Sequence, residues 1–307
     1  MGHPKFSEAA SSACPSCGAT NAIRLFSRSL GDKIWYLARC PDCTQYYTDP
    51  RPTLDDIKTF YSGGYHADLL SEEETELEFG EKFRGYADWI CSYVRPGPSL
   101  DIGCTTGLFP YVLKQRGFNA EGLEINEVTA RWAEQHYGIT VRNEPFETAN
   151  YSGRSFRLIS MADVLEHALH PVTTLLRVYS LLEDGGFAFI SFPDIESLES
   201  RYFKTLAQMT GRSWLWKCCH IPGHTWEFTK PTAEALFRRC SFRVVGFRRS
   251  HRNDFQHISV PITILVAPPL LLGTSLFRER LGTQMEFILQ KVSSSVPVAS
   301  RTVITNP

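Results

Sequence analysis

From Pro98 onward the chain alternates short apolar runs with segments whose apolar residues recur at helical spacing, and this alternation constrains the fold more than any other feature. SLDIG reads as a strand, GLFPYVLKQRG as a helix with Leu108, Phe109, Val112 and Leu113 that ends at Gly117, AEGLEI as a second strand, and NEVTARWAEQHYG as a second helix closed by Gly138. ITVRN, RLISMA and GFAFISF follow as strands, with PVTTLLRVYSLLEDGG as the helix before the last of them. PTAEALFRRCSF is a further helix, and FRVVGFRRS and MEFILQKV are terminal strands. Parallel neighbours cannot be joined by a hairpin, so such an order implies a mainly parallel, helix-covered sheet. The predicted class is α/β: a Rossmann-like, seven-stranded sheet whose ligand lies beyond the carboxyl ends of its strands.

The 307 residues suffice for this domain and a small appendage, and 43% apolar residues supply a core. A net charge of -1 gives no global attraction to nucleic acid. MGHPKFSEAASSACPSCG lacks the apolar stretch of a secretory signal, so a reducing cytoplasm is expected. The apolar run Val260–Leu272 is too short to span a bilayer and holds three prolines. It follows the basic stretch Arg238–Arg252; packing into the core is the favoured reading, and contact with an anionic membrane surface is the alternative.

Four of nine cysteines stand as CPSC (Cys14, Cys17) and CPDC (Cys40, Cys43), separated by 22 residues. Two such knuckles complete a tetrahedral zinc site, and the intervening IRLFSRSLGDKIWYLARC reads as two strands about a turn. With all four ligands from protein, the expected zinc is structural. Cys91, Cys104, Cys218, Cys219 and Cys240 are expected to be buried thiols. Three units follow: a zinc ribbon (1–52), a helical connector (53–97) with a capping signal near Thr53 and an acid-headed helix from Ser71, and the α/β domain (98–307).

In LDIGCTTG the strand ends at Asp101, the turn runs Gly103–Cys104–Thr105–Thr106–Gly107, and a helix follows. A P-loop is excluded by the missing G-K-[ST]. A dinucleotide turn wants glycine at position 105, where its backbone meets the pyrophosphate. S-adenosylmethionine carries no phosphate, and Asp101 offers its cationic methionine end a charge-assisted partner. Glu124, 21 residues after Gly103, would accept hydrogen bonds from both ribose hydroxyls, a role equally suited to NAD.

LDIGCTTG, EGLEIN and MADVLEHALHP together resemble the class I S-adenosylmethionine-dependent methyltransferases over roughly Ser99 to Val292. The resemblance implies that Ile125 belongs with Glu124 to the cofactor site, that Glu144, Pro145 and Phe146 flank the adenine, and that Met161, Ala162 and Asp163 close the cofactor floor. Thr105 departs from the family's frequent glycine. The order ribbon, Tyr-rich connector and core is similar to zinc-ribbon methyltransferases of sugar and polysaccharide biosynthesis. That likeness implies Tyr61 and Tyr65 over the cofactor, with ordinary packing as the equal alternative.

Methyl transfer mainly requires alignment and sometimes a base. His167 in VLEH and His224 in KCCHIPGHTWEFTKPT are the candidate bases; His220, Trp226 and Glu227 would line the acceptor pocket. His220 and His224 beside Cys218 and Cys219 lack a second cluster and are not read as a metal site. Arg248, Arg249 and Arg252 either bind phosphates of a nucleotide-linked acceptor or form a solvated strand end. The expected function is methyl transfer from S-adenosylmethionine to a small polar acceptor such as a nucleotide-linked sugar. The alternatives are an RNA methyltransferase gripping RNA through Arg24, Arg28, Lys33 and Arg39, and a catalytically silent binding protein.

Overall fold

The computed structural model describes residues 13–30, 33–57, 71–210, 220–250 and 282–292. Tyr61, Tyr65, Cys218, Cys219, Arg252 and the apolar run 260–272 lie outside them.

The α/β domain begins with β4 (Pro98–Ile102), α2 (Leu108–Gln115), β5 (Asn119–Leu123), α3 (Glu127–Tyr137) and β6 (Val141–Arg142). It continues through β7 (Phe156–Ala162), a 3-10 turn (Leu165–His167), α4 (Pro171–Leu181), β8 (Leu182–Pro193) and α5 (Leu198–Thr210), and ends with β9 (Trp226–Glu227), α6 (Lys230–Arg239), β10 (Phe242–Ser250) and β11 (Gln284–Lys291). Among the described residues the main sheet has seven strands in the order β10-β11-β8-β7-β4-β5-β6. All its pairings are parallel except those of β11, which runs antiparallel between β8 and β10. The expected Rossmann-like architecture is thus present. Sequence reading missed α5 and the two-residue β9.

Central strands covered on both faces must be apolar along their whole length. Accordingly β11 is buried from Gln284 to Leu289, and β8 buries Phe189, Ile190 and Phe192. The charge inside β11, Glu286, meets Arg248 of β10 at 2.5 Å. Ahead of the domain, α1 (Glu72–Cys91) packs Tyr86, Ala87 and Ile90 against Phe109 of α2 and Phe189 of β8. Its N-terminus is closed by a reciprocal capping box: Ser71 N–H donates to Glu74 Oε2 at 2.8 Å and Glu74 N–H to Ser71 Oγ at 3.2 Å. Cys91, at the far end, is exposed, contrary to the expectation of a buried thiol.

The N-terminal strands β1 (Ile23–Leu30), β2 (Lys33–Arg39) and β3 (Tyr46–Asp49) form an antiparallel sheet, and its fourth strand is β9 from the α/β domain. Tyr46 pairs with Glu227 and Tyr47 with Trp226. The ribbon is therefore built against the loop that carries His224.

Candidate functional site

The turn after β4 sits above the carboxyl ends of β4 and β5. Gly103 (φ 71°) and Gly107 (φ 78°) both take the left-handed conformation that glycine favours. A Cβ on Gly103 would lie 2.7 Å from Val164 Cγ2, and one on Gly107 2.6 Å from Ala133 Cβ, so packing as well as conformation demands glycine. Thr105 adopts φ 44° without glycine's freedom. Its N–H donates to Glu124 Oε2 at 3.0 Å, while Asn126 N–H donates to Oε1 at 2.8 Å. Glu124 thus ties the two loop tips together, and each oxygen retains a second lone pair for a ligand hydroxyl.

Asp101 is 3% exposed and its Oδ1 accepts from Ser160 Oγ at 2.5 Å. Burial pushes its carboxyl up to about 7; Ser160 opposes the rise and the charge of Glu124 adds to it. The two acids therefore act on one another. A cation placed beside them would stabilise the ionised form. Ser160 was missed from sequence, although a polar residue in the middle of an apolar strand, RLISMA, is the signal that marks it.

The other expected cofactor residues fall in different environments. Cys104 is buried beneath the turn, and Ile125 is 68% exposed beside Glu124, as a surface offered to a flat ring would be. Glu144 is half-buried and Pro145 exposed at the end of β6. Phe146 is buried in the core, with the Arg177 guanidinium 5.1 Å from its ring centre. Met161 is buried in β7, Ala162 is half-buried, and Asp163 at φ 58° accepts from Lys82 Nζ of α1 at 2.8 Å and from Gln284 of β11. Asn143, also missed, donates to the carbonyls of Glu124 and Ile125 at 2.8 and 2.9 Å and fixes the Glu124 loop from the side.

Beyond β7 the 3-10 turn meets the loop 220–229. Thr225 N–H donates to Glu166 O at 2.9 Å and its hydroxyl to Ala168 O at 2.8 Å. The rings of His167 and His224 lie 4.7 Å apart, and those of His220 and His224 4.9 Å apart. His167 Nδ1 is 3.0 Å from Gly223 O; a carbonyl only accepts, so Nδ1 is the donor. His224 Nδ1 is 3.0 Å from Glu227 Oε1, and Glu227, 1% exposed, is pushed up to about 8 by burial, with His220 drawing it back. The structure brings His167, His220, His224 and Glu227 into one neighbourhood, while the Trp226 ring packs in the core against Phe228 and under Arg51.

Arg248 and Arg249 fit neither reading given to them. Arg248 holds Glu286, Gly85 O and the face of Trp89, and Arg249 donates twice to Asp194, so both fasten β10 to the core. In the N-terminal ribbon Cys14, Cys17, Cys40 and Cys43 offer sulfurs that all lie within 4.8 Å of one another. Cys14 and Cys43 Sγ are 3.5 Å apart, and Cys17 and Cys40 Sγ 3.6 Å, near the edge of a tetrahedron with Zn–S bonds of about 2.3 Å. Burial raises the Cys14 thiol, a cost that a bound cation removes. The four residues fit zinc.

A family model described as a methyltransferase domain matches residues 82–246. The ubiquinone biosynthesis O-methyltransferase of Parvibaculum lavamentivorans is 33% identical over 127 residues, covering 39% of this chain and 47% of that one. The protein of the same name from Roseobacter denitrificans is 28% identical over 143 residues, covering 45% and 50%. The chain spans about half the length of these curated relatives. Among solved structures, 1,6-didemethyltoxoflavin-N1-methyltransferase of Burkholderia thailandensis, with S-adenosylhomocysteine bound, superimposes at a TM-score of 0.52 and 16% identity over 87% of this chain and 100% of that one. A possible histamine N-methyltransferase of Thermotoga maritima gives 0.50 and 17% over 77% and 99%. These two share the fold. No helix among the described residues is long and apolar enough to cross a membrane. With more than half of its residues inside the family match, the chain belongs to the class I S-adenosylmethionine-dependent methyltransferase family.

Proposed function

We propose that the chain binds S-adenosylmethionine between Asp101 and Glu124 and transfers its methyl group to a small polar acceptor held by the His167–His224 neighbourhood. The observation that carries this reading is the pair of buried, mutually interacting acids at the ends of β4 and β5, beside a turn built without the phosphate-cradling glycine. The cofactor supplies a methyl group already activated by sulfonium. Asp101 faces its cationic end, Glu124 its ribose hydroxyls, and Ile125 its adenine. Glu144 and Pro145 flank the ring, while Met161, Ala162, Asp163, Gly103, Cys104, Thr105, Gly107 and Phe146 shape the floor and turn. His167, its Nδ1 donating to Gly223 O, and His224, oriented by Glu227, stand at the acceptor end as proton acceptors.

The acceptor class is a hydroxyl-bearing small molecule. The curated relatives are named for O-methylation in ubiquinone biosynthesis, and nothing in the comparisons favours the nucleotide-linked sugar. Phosphate recognition by Arg248 and Arg249 is unsupported, since both are committed internally. The RNA reading loses ground for a parallel reason: Arg24 pairs with Asp49, Arg28 donates to Ile221 O, Lys33 pairs with Asp56, and Arg39 lies over Tyr46. We take the ribbon (1–52) as a zinc-stabilised brace and 53–97 as a connector over the cofactor site.

Calorimetry with S-adenosylhomocysteine tests the reading. Asp101→Ala should weaken binding roughly 10- to 100-fold, as loss of a charge-assisted contact does, while the fold is retained. Unchanged affinity would remove the main support. Labelled-methyl transfer to phenolic and nucleotide-sugar acceptors, run in parallel, separates the acceptor classes; no transfer to either, with binding intact, would favour the silent binding protein.

A further inference from the structure

We propose that Glu166, His167 and His224 form a second metal centre, a two-imidazole, one-carboxylate site for a divalent cation of the zinc, cobalt or manganese type, separate from the four-cysteine zinc site. One ligand atom from each of the three side chains lies within 4.8 Å of the other two. Ligands on a common ion at about 2.1 Å stand roughly 3 to 4 Å apart, so little contraction is needed.

Three features make this a built site. Both histidines present Nδ1 to an oxygen, Gly223 O at 3.0 Å for His167 and Glu227 Oε1 at 3.0 Å for His224. That is how a metal-bound imidazole is oriented, with the opposite nitrogen turned to the ion and a carbonyl or carboxylate behind it. Second, Glu166 is 1% exposed, and a carboxylate so deep is costly unless positive charge stands beside it. Third, the ligands come from two segments 57 residues apart in sequence that the backbone locks together, through Thr225 N–H to Glu166 O at 2.9 Å. His224 and Glu166 are buried while His167 is only half-buried, so any open coordination position lies on the His167 side. Two imidazoles with one carboxylate suit zinc, cobalt, iron or manganese better than magnesium, which keeps an oxygen shell.

The cation site stands without the methyl-transfer reading; its role toward an acceptor rests on it. There, an acceptor hydroxyl bound at the open position would lose its proton to water more readily, leaving an alkoxide or phenolate oxygen on the cation. With the cation bound, His167 and His224 would hold it and water would take the proton; without it, the two imidazoles are the proton acceptors.

The test uses full-length protein with its cysteine site filled by zinc and free zinc removed. Co2+ is added, and bound metal is counted after equilibrium dialysis while absorbance is followed. The expected result is one further ion per chain with visible bands of nitrogen and oxygen ligands and no thiolate-to-cobalt charge-transfer band. His167→Ala, Glu166→Gln and His224→Ala should lose it, Glu227→Gln should weaken it roughly tenfold or more, and His136→Ala, an exposed control, should leave it. Because the wild-type count alone is decisive, a misfolded variant does not blur the outcome: no further Co2+ on wild-type protein overturns the site, as does uptake undiminished in folded His167→Ala. Loss of cofactor binding with Co2+ uptake intact would sink the methyl-transfer reading and spare this one.

Discussion

In the main sheet the cofactor turn rests on a continuous core: Leu100, Ile102, Leu123, Ile159, Met161 and Ile190 are all buried beneath it. In the ribbon the side chains around the cysteines are few: Ala22, Ala38 and Tyr47 with the cysteines themselves. The first sheet stands on its own buried apolar area, whereas the second leans on the α/β domain: Phe26, Trp35, Leu37 and Tyr46 pack against Ile195, Ala207 and Ile221, the fourth strand is β9, and the four cysteines are placed to take a metal ion. Support also runs in the other direction. Thr48 Oγ1 donates to His224 O at 2.6 Å, and Arg51 donates to Thr225 O and Leu169 O at 2.9 and 2.8 Å while lying over the Trp226 ring. Through these contacts the ribbon braces the loop that carries His224.

The largest break in this comparison is Cys40→Ser. Structural zinc contributes on the order of 10 kcal/mol to folding small domains, so zinc should be released and the ribbon should lose its order. Hydrogen exchange should show β1–β3 deprotected while β7, β8 and β11 keep their protection, with methyl transfer reduced because the His224 loop has lost its support. If β7 and β8 also exchange, the ribbon is not a separate stabilising unit.

The matching break in the main sheet is electrostatic. The Asp101 carboxyl, raised to about 7 in the fold, releases its proton near the ordinary carboxylate range when unfolded. Between those limits the native state binds more protons. Its contribution to stability is therefore full below the unfolded value and is lost as pH rises through about 7. Asp101→Asn should flatten that part of the melting-temperature profile. In wild-type protein, cofactor affinity should rise toward pH 7 and binding below it should release a proton. A profile unchanged by Asp101→Asn would show that this acid is not buried as described.

Much of this was legible in the chain itself. The seven strands announced themselves because buried parallel strands are apolar along their length, and the four cysteines because zinc geometry fixes their spacing. Asp101 and Glu124 could be located near neighbouring strand ends, Asp101 one residue before the end of β4 and Glu124 directly after β5. The meeting of Glu166 and His167 with His224 could not, since it depends on a loop returning across 57 residues and on a two-residue strand, β9, too short to leave a pattern. Arg248 and Arg249 misled for the same reason: their partners, Glu286 and Asp194, lie in distant segments, and a basic strand looks solvated until its neighbours are known.

A finer comparison uses one glycine from each region. Gly18, after the first knuckle, and Gly103 both have positive φ, 80° and 71°. A Cβ on Gly18 meets nothing within 4 Å, whereas one on Gly103 would lie 2.7 Å from Val164 Cγ2. Gly18→Ala should therefore cost only backbone strain, about 1 to 2 kcal/mol, and Gly103→Ala that strain plus overpacking, about 3 kcal/mol or more. Denaturant midpoints measured on the zinc-loaded protein would read the difference; equal costs would mean that the Gly103 turn yields as freely as the exposed knuckle.

The smallest effect has the opposite sign. Each region also carries a threonine where glycine would relax the backbone: Thr44 after the second knuckle at φ 62°, and Thr105 in the cofactor turn at φ 44°. At Thr105 the contact made toward Glu124 comes from the backbone N–H, which glycine keeps. Thr105→Gly thus removes left-handed strain of roughly 1 to 2 kcal/mol and adds back about 0.5 to 1 kcal/mol of unfolded-state entropy, a net gain of about 0.5 kcal/mol. Thr44→Gly, judged by the same balance, should gain a similar amount, but only in the melting of the ribbon. Urea titration of Thr105→Gly is the sharper test. A loss of stability would mean that the threonine side chain holds the turn closed, and that its backbone is supported by more than the Glu124 carboxylate.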